Sequence, residues 1–420
     1  MVSAQLLSGR EGNETMDYFE RVSGGGVTSP RGFSAAALAA DIKGAGGDKL
    51  DLGVLSSNVP ATAAAVFTTN RVCAAPVRYS RDIVAGGRAQ AVVFNSGNAN
   101  ACTGEQGMRD TQRIAELGAQ RLGIAKELVL VASTGVIGVP LPMEHIEGGI
   151  GRLEVSTEGG HQAAMAIMTT DTFPKEVALR LTIEGRQVTV GGMAKGSGMI
   201  HPQMATMLGF ITTDATLEQG YAAHLMKSIA DSTFNMLSVD GDTSTNDTLL
   251  LLANGQSGAP ALRGGDAASD AFAAALHEVA RELTLMLARD GEGATKVIEV
   301  HASGAETVED ARRLALAVVK SPLLKAAVYG ADPNWGRIAC AAGYSGAALD
   351  QDRLDVRMAG ALLLKAGTPQ PFDKPAVTEV IKNSKHVLIE LDAHLGSYEA
   401  TAWGCDLTEE YVHINGHYTT

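Results

Sequence analysis

A glycine-rich, basic segment at residues 191–210 contains the residues most suited to catalysis in the sequence. It runs through Lys195 to Thr206, which follows Ala205 and precedes an apolar run. If the bond between Ala205 and Thr206 were cut, Thr206 would gain a free α-amino group with a pKa of about 7.7–8.0. That amine could act as general base for the Thr206 hydroxyl, so one residue would supply both nucleophile and base. From the segment alone, an ordinary strand residue is the simpler interpretation of Thr206.

Several common catalytic and binding motifs are missing from the sequence. It has no phosphate-binding G-x-x-x-x-G-K-[ST] and no G-x-S-x-G, and His277 opens an H-E-x-x-H pattern that ends in Arg281 instead of histidine. The acidic run 240–247 resembles an oxygen cage for a divalent cation but lacks the glycine and terminal glutamate of an EF-hand, which favours a capped polar turn. His413 and His417 are interpreted as part of a solvated tail. We therefore predict no bound cofactor and no metal.

The composition restricts the classes of partner. The chain has 420 residues with 34 basic and 47 acidic side chains, a net charge of −13, which disfavours generic binding to nucleic-acid phosphates. No apolar run is long enough to span a membrane, and the first twenty residues fit neither a secretory signal nor a transit peptide. The four cysteines are scattered without a C-x-x-C pair, which favours reduced thiols and a cytoplasmic location. The 48 glycines exceed the usual share of about 7% and imply many tight turns or close backbone approaches.

The pattern of apolar residues predicts a mixed α and β fold without a regular βαβ repeat. Residues 1–24 are polar and aperiodic and are expected to form a poorly ordered tail. Helices are predicted at 111–122, after a capping box at Thr216 and Gln219, at 267–288, and at 308–320 headed by Thr307 and Asp310. Strands are predicted at 52–55, 89–94, 128–132, 177–183, 187–190, 296–301, 354–358, 387–391 and 397–402, the 177–190 pair as a hairpin.

The run 193–214 closely resembles the self-cleaving threonine segment of the ornithine acetyltransferase family, also called glutamate N-acetyltransferases, of arginine biosynthesis. Six further segments resemble family segments in the family order: 95–104, 133–138, 168–172, 240–247, 332–337 and 415–420. Each segment is a weak signal alone, but six in register are a strong one. The resemblance extends from about residue 25 to the C-terminus.

The resemblance implies a precursor that cuts itself between Ala205 and Thr206. Residues 25–205 would form an α chain with the oxyanion hole and the substrate lysine, and residues 206–420 a β chain beginning at the nucleophile. Two αβ pairs would assemble as a heterotetramer. The implied fold is a layered α-β-β-α sandwich resembling N-terminal-nucleophile hydrolases, with a smaller C-terminal α/β part.

The resemblance also implies the reaction. Thr206 would take the acetyl group from N2-acetyl-L-ornithine, release L-ornithine, and pass the acetyl group to L-glutamate by a ping-pong mechanism. The Thr134 hydroxyl and the Gly135 N–H match the family's oxyanion-hole positions. A glycine is physically reasonable there because it permits a close backbone approach. Whether acetyl-CoA serves as a second donor is left open.

Both substrates are amino acids, so their site needs a cation for the α-carboxylate and further polar groups. By resemblance Lys195 is the substrate lysine, and Glu292 lies where a carboxylate could hold the substrate's amino group. The full set of predicted substrate-binding residues is Thr172, Lys195, Thr206, Glu292, Asn415 and Thr420. The neighbours Thr169 and Thr170 leave the choice of Thr172 open by a position or two.

Two other functions are compatible with the sequence. A related self-processing aminopeptidase or amidohydrolase would let water resolve the acyl-enzyme. A non-catalytic relative would bind ornithine or glutamate without forming an acetyl-enzyme.

Overall fold

The computed structural model describes residues 19–44, 46–201 and 207–417. Helices and strands alternate irregularly along this part of the chain. The strands are β1 (Phe19–Arg21), β2 (Phe33–Leu38), β3 (Leu52–Phe67), β4 (Arg88–Asn95), β5 (Val129–Ser133), β6 (Lys175–Ile183), β7 (Arg186–Lys195), β8 (Leu208–Thr213), β9 (Leu237–Ser238), β10 (Thr248–Ala253), β11 (Val297–Ala305), β12 (Asp355–Met358), β13 (Ala361–Lys365), β14 (Thr368–Pro369), β15 (His386–Asp392) and β16 (Tyr398–Cys405). The helices are α1 (Ala75–Ala85), α2 (Gly104–Leu122), α3 (Met143–Ile150), α4 (Gly160–Ala166), α5 (Gln219–Ser232), α6 (Ala267–Arg289), α7 (Val308–Val319), α8 (Pro322–Tyr329), α9 (Trp335–Gly343), α10 (Lys374–Asn383) and α11 (Glu409–His417).

The larger sheet contains β1 to β8 and β10 of the described chain. Its order is β1-β6-β7-β8-β10-β3-β4-β5, with β2 paired to β3. Strands β8 and β10 are parallel, as are β4 and β5, and the other pairs are antiparallel. The order places the end of β7 beside the start of β8, whereas β5 lies at the edge of the sheet and is reached by the loop that leads into β10.

The smaller sheet has the order β14-β13-β12-β15-β11-β16-β9. Helix α6 contacts β6 and β7 of the larger sheet and β11 and β16 of the smaller one, and α7 packs on β11 and β16. The buried side chains between these layers are mainly Ala, Val, Leu and Ile, as the low aromatic content predicts. The prediction of an α/β fold with two sheets is confirmed. Among the described residues, no helix is both long and apolar enough to cross a membrane.

Local signals account for much of the secondary structure. All nine predicted strands coincide with observed strands, and the predicted hairpin is β6 and β7. Its two-residue turn, Glu184 and Gly185, has positive φ at both positions, as a type I′ turn requires. Helix α7 begins as predicted, because the Thr307 side chain accepts a hydrogen bond from the Asp310 N–H.

The predicted capping box at Thr216 is wrong. Helix α5 begins at Gln219 with Glu218 at its N-cap and no side-chain hydrogen bond to the cap. The Leu262 N–H donates to the Thr216 carbonyl, and Leu217 forms a bridge with Leu262. This pairing with a distant segment holds 216–218 extended, so tertiary contacts override the local signal.

Parts of both predicted tails form regular elements where the structure describes them, although His413 and His417 are exposed to solvent as predicted. Phe19–Arg21 forms β1 and pairs with β6, whereas residues 1–18 of the predicted tail lie outside the described residues. His413 and His417 lie on helix α11, with ring centroids 4.6 Å apart. The Tyr411 hydroxyl donates to Asp240 at 3.3 Å, a tertiary contact that holds this helix against the body of the protein.

Candidate active site

Lys195 is the last residue of β7, and its side chain points into the protein. The residue is only 2% exposed. Its Nζ donates to the Thr169 Oγ1 at 2.7 Å and lies 3.8 Å from Asp171 Oδ2. Burial lowers the pKa of Lys195, Asp171 opposes this shift, and Lys175 adds to it. The described residues thus leave donors of a buried ammonium group available to a ligand.

Behind Lys195 lies a buried ion-pair cluster that sequence analysis missed. The Nζ of Lys175 is 2.6 Å from both Asp171 Oδ1 and Asp290 Oδ2, and none of these side chains is more than 2% exposed. Burial alone would raise the pKa of Asp171, but Lys195 and Lys175 lower it to about 2. Asp171 is therefore a carboxylate at neutral pH. It also accepts from the Gly196 N–H at 2.6 Å.

The three neighbouring threonines have different partners. The Thr172 hydroxyl donates to Asp290, and its N–H donates to the same carboxylate at 3.0 Å. The Thr170 hydroxyl is hydrogen-bonded to the Ser197 hydroxyl at 2.6 Å. Only Thr169, of the three, contacts Lys195. Thr172, which the resemblance predicts to contact substrate, is hydrogen-bonded to Asp290 of the ion-pair cluster.

Glu292 lies against the segment that follows Lys195, at intermediate exposure. Its N–H donates to the Ser197 carbonyl at 2.9 Å, and its carboxylate accepts from Asn415 Nδ2 at 2.7 Å. A Cβ at position 198 would lie 2.4 Å from Glu292 Oε2, so Gly198 makes room for this carboxylate. The structure therefore brings together Lys195, Glu292 and Asn415 of the predicted set.

Thr134 and Gly135 form the turn after β5. The Thr134 N–H donates to the Asn95 carbonyl at 3.0 Å, and Gly135 has a φ of +135°. A Cβ at Gly135 would lie 2.3 Å from the carbonyl carbon of Gly97 and 2.4 Å from the Asn98 nitrogen. Glycine is required for both reasons. Within the described chain, no backbone acceptor takes the Gly135 N–H, which leaves it available as an oxyanion donor.

The acidic run 240–247 hydrogen-bonds to the backbone on both sides of the predicted cleavage segment. Asp240 accepts from the N–H groups of Met199 at 2.5 Å and Ile200 at 2.9 Å. Asp247 Oδ1 accepts from the N–H of Met207, the residue after Thr206, at 2.8 Å. No group of three or more His, Cys, Asp or Glu side chains in the described chain is arranged to hold a metal ion.

Asn246 and Asp247 connect this run to the other site elements. Asn246 Nδ2 donates to the carbonyls of Ala99 at 2.6 Å and Ser133 at 2.8 Å, next to the Thr134 turn. Burial raises the pKa of Asp247 well above its usual range, although the Met207 N–H, Lys195 and the nearby Thr68 hydroxyl lower it. Its Oδ2 has no hydrogen-bond partner among the described residues. The carboxyl group is thus buried beside the residue that follows the predicted nucleophile.

Three predicted site residues, Ala205, Thr206 and Thr420, lie outside the described residues. The residues that sequence reasoning missed are Asp171, Lys175, Asn246, Asp247 and Asp290 as members of the site. A weak signal existed for some of them. Asp171 lies in the resembling segment 168–172, Lys175 follows it by four residues, and Asp290 precedes Glu292 by two positions. No sequence signal linked Lys175 to Asp290, because the pair is formed across 115 residues.

Comparison with known proteins identifies the family. The model of the ArgJ family matches residues 34–420. A protein from Symbiobacterium thermophilum, named arginine biosynthesis bifunctional protein ArgJ, is 56% identical over 398 residues, which cover 94% of this chain and 99% of that protein. A protein of the same name from Caldanaerobacter subterraneus subsp. tengcongensis is 48% identical over 402 residues, with the same coverage of 94% and 99%.

A solved structure is also similar. The crystal structure of ArgJ from Bacillus halodurans shares 41% sequence identity with this chain at a TM-score of 0.49, and the match covers 50% of this chain and 98% of that one. The family model and the two curated relatives each match most of the chain. On this basis, the chain belongs to the ArgJ family.

Proposed function

We propose that this chain is the enzyme that transfers an acetyl group from N2-acetyl-L-ornithine to L-glutamate in arginine biosynthesis. The observation that carries the proposal is a buried ammonium group, Lys195, at the start of a segment whose Ser197 carbonyl accepts a hydrogen bond from the N–H of Glu292, a residue with a carboxylate. The carboxylate raises the pKa of the lysine, so the two groups interact electrostatically. The relatives' name, arginine biosynthesis bifunctional protein ArgJ, supports the pathway.

The charge pattern suits an α-amino acid. We assign the substrate's α-carboxylate to the Lys195 ammonium group and its free or departing amino group to the Glu292 carboxylate. Both substrates carry a carboxylate and an amine nitrogen, so one pair of groups can serve donor and acceptor in turn. Asn415, which donates to Glu292, would fix the orientation of that carboxylate. Thr172 would hold the adjacent segment through Asp290.

The chemistry is assigned to Thr206. Its hydroxyl attacks the acetyl carbonyl of N-acetylornithine while its α-amino group takes the proton. The oxyanion that forms is stabilised by the Gly135 N–H and the Thr134 hydroxyl. The amine of ornithine leaves with the proton, and the amine of glutamate then attacks the acetyl ester. A ping-pong mechanism follows, because ornithine departs before glutamate reacts.

The α-amino group of Thr206 requires cleavage of the precursor. In the proposed step the Thr206 hydroxyl attacks the Ala205 carbonyl, the acyl group moves from nitrogen to oxygen, and water hydrolyses the ester. The products are an Ala205 carboxylate and a free Thr206 amine. Asp240 and Asp247 support this step, because each accepts backbone hydrogen bonds on one side of the segment.

We propose that the transfer needs no cofactor. Since the relatives are named bifunctional, we propose that acetyl-CoA is the second acetyl donor. Two αβ pairs in a cytoplasmic heterotetramer complete the proposal.

The test is an exchange assay combined with gel analysis of the purified protein. Wild type should run as two fragments and form N-acetylglutamate from N-acetylornithine and glutamate, whereas Thr206→Ala should stay intact and inactive. Thr368→Ala, in the exposed strand β14, is the matched control and should behave as wild type. An intact wild-type chain with full activity would refute the proposal. Net hydrolysis without transfer would favour an amidohydrolase, and binding without acetylation a non-catalytic relative.

A further inference from the structure

Lys175 is a buried cation that the proposed reaction does not use. Its side chain is 0% exposed, and its ammonium group contacts Asp171 and Asp290 at 2.6 Å each. A buried charge without a partner is costly, so this lysine and its two carboxylates stabilise one another. Among the described residues, Asp171 is also the nearest carboxylate to Lys195, so Lys175 and Lys195 share this neighbour.

Asp171 accepts three hydrogen bonds, and none of them comes from Lys195. Its Oδ1 accepts from Lys175 Nζ and from the Gly196 N–H, both at 2.6 Å, and its Oδ2 accepts from the Thr169 N–H at 3.0 Å. Lys195 Nζ stays 3.8 Å from Oδ2, beyond hydrogen-bond distance. The Lys195 ammonium group bonds instead to the neutral Thr169 hydroxyl.

We propose that Lys175 is a positioning residue that occupies Asp171 and so keeps the Lys195 ammonium group available for the α-carboxylate of an amino-acid substrate. This inference rests on the proposed function, in which Lys195 binds that carboxylate. Without Lys175, Asp171 would be a buried carboxylate whose nearest cation is Lys195. The lysine would then move into direct contact with Asp171, and the substrate would have to compete with it.

The same lysine also positions the second half of the site. Asp290 accepts from Lys175 and from both the N–H and the hydroxyl of Thr172, and it precedes Glu292 by two residues. Lys175 therefore ties the segment that carries Thr169 to the segment that carries Glu292. One ion-pair cluster thus fixes the position of the carboxylate-binding group relative to the amine-binding group.

The ionisable groups around Lys195 in the described part of the chain determine the expected pH dependence. Burial lowers the pKa of Lys195 most, Asp171, Asp247 and Glu292 raise it, and Lys175 lowers it further. Substrate binding needs the charged lysine, so kcat/KM falls as the pH rises through the Lys195 pKa. Removing Lys175 should move this alkaline limb to higher pH, and removing the charge of Asp171 should move it to lower pH.

The test compares Lys175→Met with the double variant Lys175→Met/Asp171→Asn in the exchange assay. The concentration of active enzyme is determined from the amount of acetyl group that the protein incorporates. In Lys175→Met we expect KM for both substrates to rise roughly 10- to 100-fold, the value of one charged hydrogen bond, with a smaller change in kcat. The double variant should recover most of this loss, because the carboxylate nearest to Lys195 has lost its charge. Lys325→Met removes another buried lysine, whose ammonium group donates to the Ser238 carbonyl and forms no ion pair with Asp171 or Asp290, and should keep the wild-type KM.

The outcomes separate the inference from the proposed function. An inactive wild type would refute the proposed function itself. An active wild type with an unchanged KM in Lys175→Met, or a double variant as impaired as the single one, would overturn the positioning role alone. If Lys175→Met does not fold, the double variant decides: a KM close to that of wild type supports the inference, and a KM raised roughly 10-fold or more contradicts it.

Discussion

At position 135, backbone conformation and the space around the residue both require glycine. Its φ of +135° disfavours any side chain, and the Gly97 and Asn98 backbone fills the space where a Cβ would lie. Backbone cannot move aside as a flexible side chain can. The same residue carries the N–H that we assign to the oxyanion, so the geometric and the chemical requirement coincide.

Gly135→Ala should therefore lose both stability and activity. We expect a loss of about 2 kcal/mol or more in the free energy of unfolding, from strain and steric overlap. Any folded fraction should transfer acetyl roughly 10²–10³ times more slowly. The matched control is Gly138→Ala in the same turn, where φ is +82° but no atom lies within 4 Å of the added Cβ. It should lose only about 1 kcal/mol. Equal effects in urea unfolding and in the exchange assay would contradict this account.

Asp171 gives the site a defined acid sensitivity. Its pKa is lowered to about 2 in the folded protein, so its carboxylate stabilises the fold fully above the unfolded pKa of about 4. This contribution is lost as the pH falls through 2, and it amounts to about 2 kcal/mol. Urea unfolding of Asp171→Asn should show this deficit at pH 7, and the deficit should shrink as the pH falls from about 4 towards 2. A deficit that stays constant with pH would show that the ion pairs are not its source.

At the scale of elements, the loop between β9 and β10 organises the site. It accepts hydrogen bonds from the end of the 196–201 segment through Asp240, and from the start of β8 through Asp247. Asn246 of the same loop holds the carbonyl of Ser133, next to the proposed oxyanion turn. One loop thus links the proposed nucleophile segment to the proposed oxyanion hole.

Asp240→Asn should weaken this link. An amide has one acceptor oxygen where the carboxylate has two, so one of the two bonds from Met199 and Ile200 is lost. We expect the free energy of unfolding to fall by about 1–3 kcal/mol and precursor cleavage to slow. Asp242→Asn, an exposed side chain in the same loop, is the control and should leave both unchanged. Equal behaviour of the two variants in urea unfolding and in a cleavage time course would argue against a role of the loop.

At the scale of the whole molecule, the larger sheet is built from both sides of the predicted cut. Strands β1 to β7 precede residue 205, whereas β8 and β10 follow it and lie in the middle of the sheet. Strand β8 pairs with β7 over six positions, and β10 pairs with β3 over six. The larger sheet is therefore incomplete in either predicted chain alone.

The two fragments should therefore stay together after cleavage. Size-exclusion chromatography in native buffer should give one peak that contains both chains, and separation should require denaturant. The Thr206→Ala variant, with its single chain, should elute at the same volume. Fragments that separate in native buffer would show that the shared sheet does not survive cleavage.

The sequence predicts the parts of this structure that local rules control. The β6–β7 turn and the start of α7 follow from two or three neighbouring residues, and the family resemblance selects Lys195, Glu292 and Asn415. The Lys175–Asp290 pair could not be predicted, because its partners meet only when β6 packs against the end of α6. Helix α11 was missed for a similar reason, since distant contacts with Asp240 and Glu292 hold it in place.

The central claim is that Thr206 carries the acetyl group between the two substrates. It is tested most directly by mass spectrometry of the protein after incubation with N-acetylornithine in the absence of glutamate. We predict that the 206–420 fragment gains one acetyl group, located on Thr206, and loses it when glutamate is added. An intact chain, an unmodified fragment, or an acetyl group on another residue would contradict the account.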